Sequence, residues 1–368
     1  MRSTRAGSRT KCSVLLILTF SVVLLLKRKK NHFESSSKKI VFSRNLLEVS
    51  ADDFVTGERV SRISDVGLFT AEYIERFPYI KKLVKSIVYV GEVPNHEIVR
   101  ERGEWTYIYN DSGGAECTCK GTRLEYVLDR ISTARVFFTK TEHIEYFAKR
   151  VVPHIRKTFV VFTHFSDEKA GHAHELLQNS RLLKWYGCNM NPHPKTMGIP
   201  LGLENVEMWK RTNFELVLKA RQNKKTKLLY VLFDVKSNTN VRAKTKHVLN
   251  RNGFPQQTRV DWPTYIGELS RYKFCASPEG NGVDTHRMWE CLYLGVVPIV
   301  VKDPMLMYWF SMLPILWVDS FEGVTSKLLR DVELSGPIET SMNTASSSAL
   351  FTMSSIERSV HDLLAHEN

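Results

Sequence analysis

The chain has 368 residues, of which 43% are apolar and 25% charged. That suits about two globular domains and excludes a disordered chain, a collagen-like fibre and a small disulfide scaffold. The net charge of +13 is uneven: residues 1–39 hold ten Lys/Arg against one acid, Glu34, and the remainder holds 42 against 38. A nucleic-acid-binding body needs its basic excess on the folded part, so nucleic acid is excluded as a partner.

Residues 1–11 form a short basic tail with Arg2, Arg5, Arg9 and Lys11. Residues 12–26, CSVLLILTFSVVLLL, carry no charge, and Lys27, Arg28, Lys29 and Lys30 follow at once. As a helix this run spans about 22 Å, short of the roughly 27–30 Å of a bilayer core. Snorkelling of Lys11 and Lys27 closes the gap. A cleaved signal peptide has an apolar region of similar length, but a cationic cluster, not a small-residue cleavage site, follows Leu26. The expectation is a signal-anchor. Both flanks are equally basic, so the positive-inside rule does not orient it. A large domain after a short basic tail argues for a single-pass type II protein of the Golgi or ER membrane, its main part lumenal.

Residues 27–65 read as a polar, Ser-containing stem or linker. Beyond the anchor lie Cys117, Cys119, Cys188, Cys275 and Cys291, an odd count that leaves at least one thiol without an intrachain partner. One pairing open to them joins the Cys117/Cys119 loop to Cys188. Asn110-Asp111-Ser112 is a glycosylation sequon.

From about residue 66, short apolar runs alternate with helical spacing. Strands are expected at 87–90, 136–138 and 158–162, and helices at 123–131 and 141–149. A Pro-rich loop runs over 191–200. This order predicts a parallel sheet covered by helices on both faces. The Lys-rich stretch 219–227 separates an N-terminal domain, 66–220, from a C-terminal one, 221–335. In the second, strands are expected at 228–233, 272–276, 297–301 and 315–318. Helices are expected at 241–251 (Asn240 as N-cap), 262–269, 284–294 and 321–329. Two such halves imply a cleft between them. Residues 336–368 read as a Ser-rich connection and a last helix near 356–364.

The segment 272–301, YKFCASPEGNGVDTHRMWECLYLGVVPIVV, carries the most chemistry. A strand runs into Ser277-Pro278-Glu279-Gly280-Asn281-Gly282, and a helix begins near Asp284. Gly280 and Gly282 permit positive φ and close backbone approach. The free N–H groups of the helix N-terminus make an anion site. Arg287 in the first turn adds a charge-assisted contact to a phosphate. Glu290, three positions on, shares its face and offers a carboxylate to ribose hydroxyls. The plainer reading is a capping loop with an Arg287–Glu290 surface ion pair.

This segment resembles the C-terminal signature of exostosin-like glycosyltransferases, the glycosyltransferase 47 group. HPKTMGIPLGLEN (193–205), LLYVLFDVKSNTNVR (228–242) and WPTYIGELSRYKF (262–274) point the same way. The resemblance covers roughly 155–320 and implies a GT-B fold, with two Rossmann-like α/β domains facing across a cleft. It implies inverting transfer of a sugar from a nucleotide-sugar donor, held by the C-terminal domain, to a glycan or glycoprotein acceptor. Carried over, Arg287 binds the donor diphosphate and Glu290 the ribose. Ser277, Gly280, Asn281 and Gly282 shape the loop, and Arg242 stands near the phosphates as a second cation. His286 is a phosphate donor or a structural residue.

No Asp-x-Asp occurs in the chain, so no metal and no cofactor beyond the nucleotide-sugar co-substrate are expected. The general base should come from the N-terminal half. Asp167 and His164 follow the 158–162 strand, and Glu116 lies in a Gly-rich loop. His193 and Lys195 line the cleft or only structure their loop. The alternative function is a non-catalytic glycan- or nucleotide-binding partner of another transferase. The sugar, nucleotide, acceptor and any homo- or hetero-oligomer stay open.

Overall fold

A computed structural model of the chain describes residues 54–77, 80, 87–89, 100–101, 104–108, 129, 131–205, 212–335 and 352–366. The expected anchor (12–26), residues 27–53 of the expected stem, Asn110, Glu116, Cys117, Cys119, most of the helix expected at 123–131 and most of the Ser-rich connection lie outside the described residues. Among the described residues no helix is long and apolar enough to cross a membrane.

The chain enters through α1 (Gly57–Arg62), capped by Thr56, whose side chain accepts from the Arg59 N–H. β1 (Val66–Phe69), α2 (Ala71–Arg76), β2 (Ile87–Tyr89), β3 (Arg100–Glu101), β4 (Glu104–Ile108) and β5 (Val136–Thr139) follow. Mixed 3-10, α and π turns occupy 141–154. Then come β6 (Phe159–Thr163), α3 (His174–Gln178), β7 (Leu182–Gly187) and β8 (Thr196–Gly198). These strands form one sheet in the order β3-β4-β2-β1-β5-β6-β7-β8, parallel except for β3 with β4. Its central strands are buried along their whole length, as continuous apolar runs require when helices cover both faces. The order reverses between β1 and β5, so a crevice opens beyond their carboxyl ends.

After α4 (Phe214–Arg221) the second domain runs β9 (Lys227–Tyr230), α5 (Thr239–Arg251), α6 (Trp262–Leu269), β10 (Tyr272–Ala276), α7 (His286–Tyr293), β11 (Val297–Val301), α8 (Pro304–Phe310), β12 (Leu316–Val318) and α9 (Ser326–Leu334). Its sheet is parallel throughout, in the order β12-β11-β10-β9. α5 starts at Thr239 with Asn238 as N-cap, not at 241 behind Asn240. α7 starts at His286 behind Thr285, whose hydroxyl caps the Met288 N–H. The helix expected over 321–329 divides into a 3-10 turn, Phe321–Gly323, and α9.

The two domains are sewn together by segments at both ends. Residues 54–65, read from sequence as the end of a linker, are folded instead. Phe54 is fully buried in the second domain's core, and Val55 in the first's. The Phe54 ring packs edge-on against Tyr293 at 4.8 Å, and Arg59 covers the Phe214 ring at 4.1 Å. At the other end α10 (Met353–Ala365) returns to the first domain. Met353, Ile356 and Val360 join its core, Ser359 bonds the Tyr186 hydroxyl at 2.8 Å, and Arg135 donates to the Leu364 carbonyl.

The disulfide joins Cys275 on β10 to Cys291 on α7, a separation of 16 residues. Cys188 is a free buried thiol, so its expected pairing with the Cys117/Cys119 loop is not formed.

Gly202 marks the tightest point between the 54–65 segment and the loop after β8. Its φ is +71° and an added Cβ would stand 2.0 Å from the Val55 carbonyl oxygen, which itself accepts from the Leu203 N–H. Left-handed backbone costs a non-glycine residue roughly 1–2 kcal/mol, and the backbone clash adds to it. Gly202→Ala should therefore lower unfolding free energy by more than about 2 kcal/mol, measured by urea denaturation.

Candidate functional site

The loop between β10 and α7 faces a cleft of about 1120 Å³ between the domains. From the second domain its walls include Asp234–Ser237, Arg242, 255–260, Trp262, Tyr265, Pro278, Gly280–Gly282 and Asp284–Arg287; from the first, Asp167 and Leu201. The volume lies at the upper end of small-molecule sites, roughly 300–1,000 Å³.

Arg242 is buried and shapes this loop. Its Nε donates to the Glu279 carbonyl at 2.9 Å, Nη2 to Pro278 at 3.3 Å and Nη1 to Asp234 at 2.8 Å. Asn238 Nδ2 donates to the Gly280 carbonyl at 3.0 Å. The guanidinium expected as a free second cation is thus mostly spent on holding the backbone, though it still lines the cleft. Gly280 and Gly282 do not adopt the positive φ expected of them. Their role is close approach. A Cβ on Gly280 would meet Arg242 Nη2 at 2.9 Å, and one on Gly282 would meet Asn189 Nδ2 and the Asp167 carbonyl, each at 2.9 Å. Ser277 is buried outside the cleft lining, its hydroxyl 3.1 Å from that of Thr285.

Arg287 projects from the first turn of α7. Its Nε lies 3.4 Å from Glu290 Oε2, an ion pair, yet Nε and Nη1 are buried without a hydrogen bond, because the approach is off line. The guanidinium stacks on the Tyr265 ring, 4.7 Å from its centroid. Glu290 is only 1% exposed, accepts from the Tyr265 hydroxyl at 2.6 Å and lies outside the cleft lining. It sits under Arg287 as its counter-ion, not where ribose hydroxyls would reach it. The i,i+3 ion pair of the plainer reading is formed, but beneath the surface and not on it, since both partners are largely covered. Tyr265, which the sequence offered only as a helix residue, holds both in place.

His164 is corrected most sharply. It is buried, accepts the Phe165 N–H on Nδ1 at 2.9 Å and donates from Nε2 to the Pro200 carbonyl at 3.2 Å. Burial pushes its pKa down to about 4. With both nitrogens engaged it orders the 163–200 junction and is no general base. Asp167 is exposed on the cleft, and its Oδ2 accepts from Asn281 Nδ2 of the other domain at 3.1 Å. His193 and Lys195 are loop structure: His193 Nδ1 accepts the Lys195 N–H at 3.0 Å, and Lys195 Nζ donates to the Asn179 carbonyl.

Two groups that sequence reasoning passed over complete the junction. Asp284 is buried. Its Oδ2 accepts from the Leu201 N–H at 2.9 Å, its Oδ1 from Trp289 Nε1 at 2.6 Å, and its own N–H donates to Asn189 Oδ1 at 3.0 Å. Burial pushes its pKa up to about 7. Glu204 stands 3.6 Å from His286 Nε2, and His286 Nδ1 is 2.8 Å from the Gly202 carbonyl oxygen. Among the described residues no group of three or more His, Cys, Asp or Glu side chains could hold a metal ion.

No protein-family model matches the chain, and no curated protein matches it. Solved structures do. A trehalose 6-phosphate synthase from Burkholderia multivorans is 9% identical, with a TM-score of 0.41, covering 82% of this chain and 98% of that one. The Anabaena protein HepE in complex with UDP and glucose is 12% identical, with a TM-score of 0.40, covering 82% and 99%.

His164 and Asp284 should oppose each other in acid. His164 has a depressed folded pKa, so its contribution is present above about 6.5 and is lost as pH falls toward 4. Asp284 has a raised one, so its contribution is present in acid and is lost as pH rises through about 7. Over pH 5–7 the two trends offset. Thermal melts of Asp284→Asn should show Tm falling as pH drops from 7 to 5, and those of His164→Asn should show it rising.

Proposed function

We propose that this chain is a glycosyltransferase of GT-B type, moving a sugar from a nucleotide-sugar donor to a hydroxyl of a glycan or glycoprotein. The observation that carries the reading is Arg287. It is a largely buried guanidinium with unused donors, at the open N-terminus of α7, on a cleft between two parallel-sheet domains. Helix N–H groups and one cation are what a leaving diphosphate needs for charge neutralisation. The exostosin-like resemblance of 272–301 narrows the reading to an inverting, metal-independent transfer. In this reading the second domain, which supplies most of the cleft lining, is the donor side. The crevice beyond β1 and β5 is the acceptor side.

The disulfide between Cys275 and Cys291 favours an oxidising compartment. Together with the apolar run 12–26 this supports a Golgi or ER protein of type II topology. The disulfide also clamps β10 to α7 on either side of the phosphate loop, and a closed loop of this length contributes about 3 kcal/mol.

Arg287→Ala alone would leave Glu290 buried without its cation, so loss of folding and loss of binding would be confounded. Arg287→Met combined with Glu290→Gln removes both charges. By isothermal titration its UDP affinity should fall about 10- to 150-fold, the equivalent of about 1.5–3 kcal/mol for a lost charge-assisted contact, with Tm near that of the parent. Unchanged UDP affinity would remove the diphosphate assignment. Turnover of a panel of UDP-sugars should persist in excess EDTA; abolition by EDTA with recovery on adding Mn²⁺ would refute a metal-independent mechanism. UDP-sugar binding with neither transfer nor hydrolysis over a wide acceptor panel would favour the non-catalytic partner instead.

A further inference from the structure

We propose that His286 is the proton acceptor of the transfer step, fixed in its reactive tautomer by Gly202 and supported by Glu204. The inference rests on the transferase reading above and names the base that reading needs.

His286 is the first residue of α7 and a cleft-lining residue, one position from Arg287. Through Gly202 and Glu204 the His286 ring faces the first domain, the side from which the acceptor of an inverting transfer attacks, opposite the departing diphosphate. A carbonyl oxygen only accepts, so at 2.8 Å from Gly202 O the Nδ1 atom carries the proton. The lone pair of the neutral ring is then on Nε2. The side chain is 27% exposed, enough to meet a substrate hydroxyl. Gly202 itself packs against the Val55 backbone so closely that it tolerates no Cβ.

The charged groups facing the imidazole come from three places. Glu204, from the loop after β8, stands 3.6 Å from Nε2. That is too long for a hydrogen bond but close enough to stabilise the imidazolium once it forms. Arg287 follows on its own helix, and His164, neutral through burial, lies close enough beneath the same loop to feel a charge on His286.

Most other bases near this corner are occupied. His164 has both nitrogens bonded, and Asp284 accepts from Leu201 and Trp289. Glu290 lies under Arg287 and Tyr265. Glu142 is paired with Lys140 at 2.7 Å and bonded to Ser166. Asp167 has one oxygen taken by Asn281.

In the step, the acceptor O–H gives its proton to His286 Nε2 while its oxygen bonds to the anomeric carbon. The bond from that carbon to the diphosphate oxygen breaks, and its electron pair leaves with the nucleoside diphosphate. The imidazolium, held between Gly202 O and Glu204, then returns its proton to solvent.

The test uses the full chain, UDP release from a panel of UDP-sugars, and UDP affinity measured separately. His286→Asn is the informative variant, because its amide nitrogen replaces Nδ1 and keeps the Gly202 bond while Nε2 is lost. It should lower kcat at least 100-fold, leave UDP affinity within threefold, and erase the acid limb of the kcat–pH profile. Glu204→Gln should lower kcat about tenfold, since the imidazolium loses its counter-charge. Added imidazole should restore part of the turnover of His286→Ala. The assignment is overturned if His286→Asn stays within threefold of the parent with its acid limb intact, or if the limb vanishes in Asp167→Asn instead. A parent chain that binds none of UDP, GDP, CDP and ADP overturns the transferase reading, and this inference with it. UDP binding and turnover with an unaffected His286→Asn overturn only the base.

Discussion

The buried carboxylate of Asp284 is the constraint on which the site depends. One oxygen takes the Leu201 N–H of the first domain's loop, the other takes Trp289 Nε1 from within α7, and its backbone N–H is fastened to Asn189. A carboxylate in such surroundings is costly unless its lone pairs are satisfied, so the two domains and the helix must meet at one spacing. That spacing sets where the α7 N-terminus opens onto the cleft. It also carries the Gly202 carbonyl to within 2.8 Å of His286 and brings Asn281 against Asp167.

Arg287 shows a second economy of the same kind. To serve a diphosphate as proposed, this cation would have to stand ready without collapsing onto a local carboxylate. Glu290 neutralises it from below, off the hydrogen-bonding line, while the Tyr265 ring supports it on one face. The guanidinium is therefore oriented and charge-compensated but keeps donors free. Were Glu290 to bond it squarely, those donors would be spent. Were Glu290 absent, burial would press the cation outward. Arg242, by contrast, gives its donors to the loop backbone.

Much of this was legible in the sequence wherever a single periodicity ruled. The 262–269 helix and the 272–276 and 297–301 strands have the same bounds in the structure, since each is an apolar run closed by a cap or turn. β7 was not legible. LLKWYG mixes a cation and aromatics without alternation, because both faces of that strand are covered only in the folded protein. Phe54 and Val55 looked like linker because their burial depends on Tyr293 and on the 200–203 loop, more than a hundred residues away. Arg287 could be picked out by its place in a first turn. Glu290's depth beneath it could not, because i,i+3 spacing says that two side chains share a face and not which way the face points. His164 misled for the opposite reason: a histidine at a strand end suggests chemistry, and here the Pro200 carbonyl and its own neighbour's N–H consume it.

The placement of the two halves follows from topology as much as from side chains. In the first sheet the strand order reverses between β1 and β5, and the crevice beyond them holds Tyr73, Lys140 and Glu142. Lys140 lies 4.9 Å from the Tyr73 ring centroid and 2.7 Å from Glu142. In the second sheet the strand ends lead into the Arg242-braced loop. Parallel sheets place their ligands at such ends, so a domain pair whose strand ends face each other makes one composite site from two separate crevices. The loop from Pro200 to Glu204 crosses between them, offering an amide to Asp284, a carbonyl to His286 and a carboxylate to the imidazole. A short loop that supplies all three ties the placement of the first domain to that of His286, because the Gly202 carbonyl and the Glu204 carboxylate are carried by one segment.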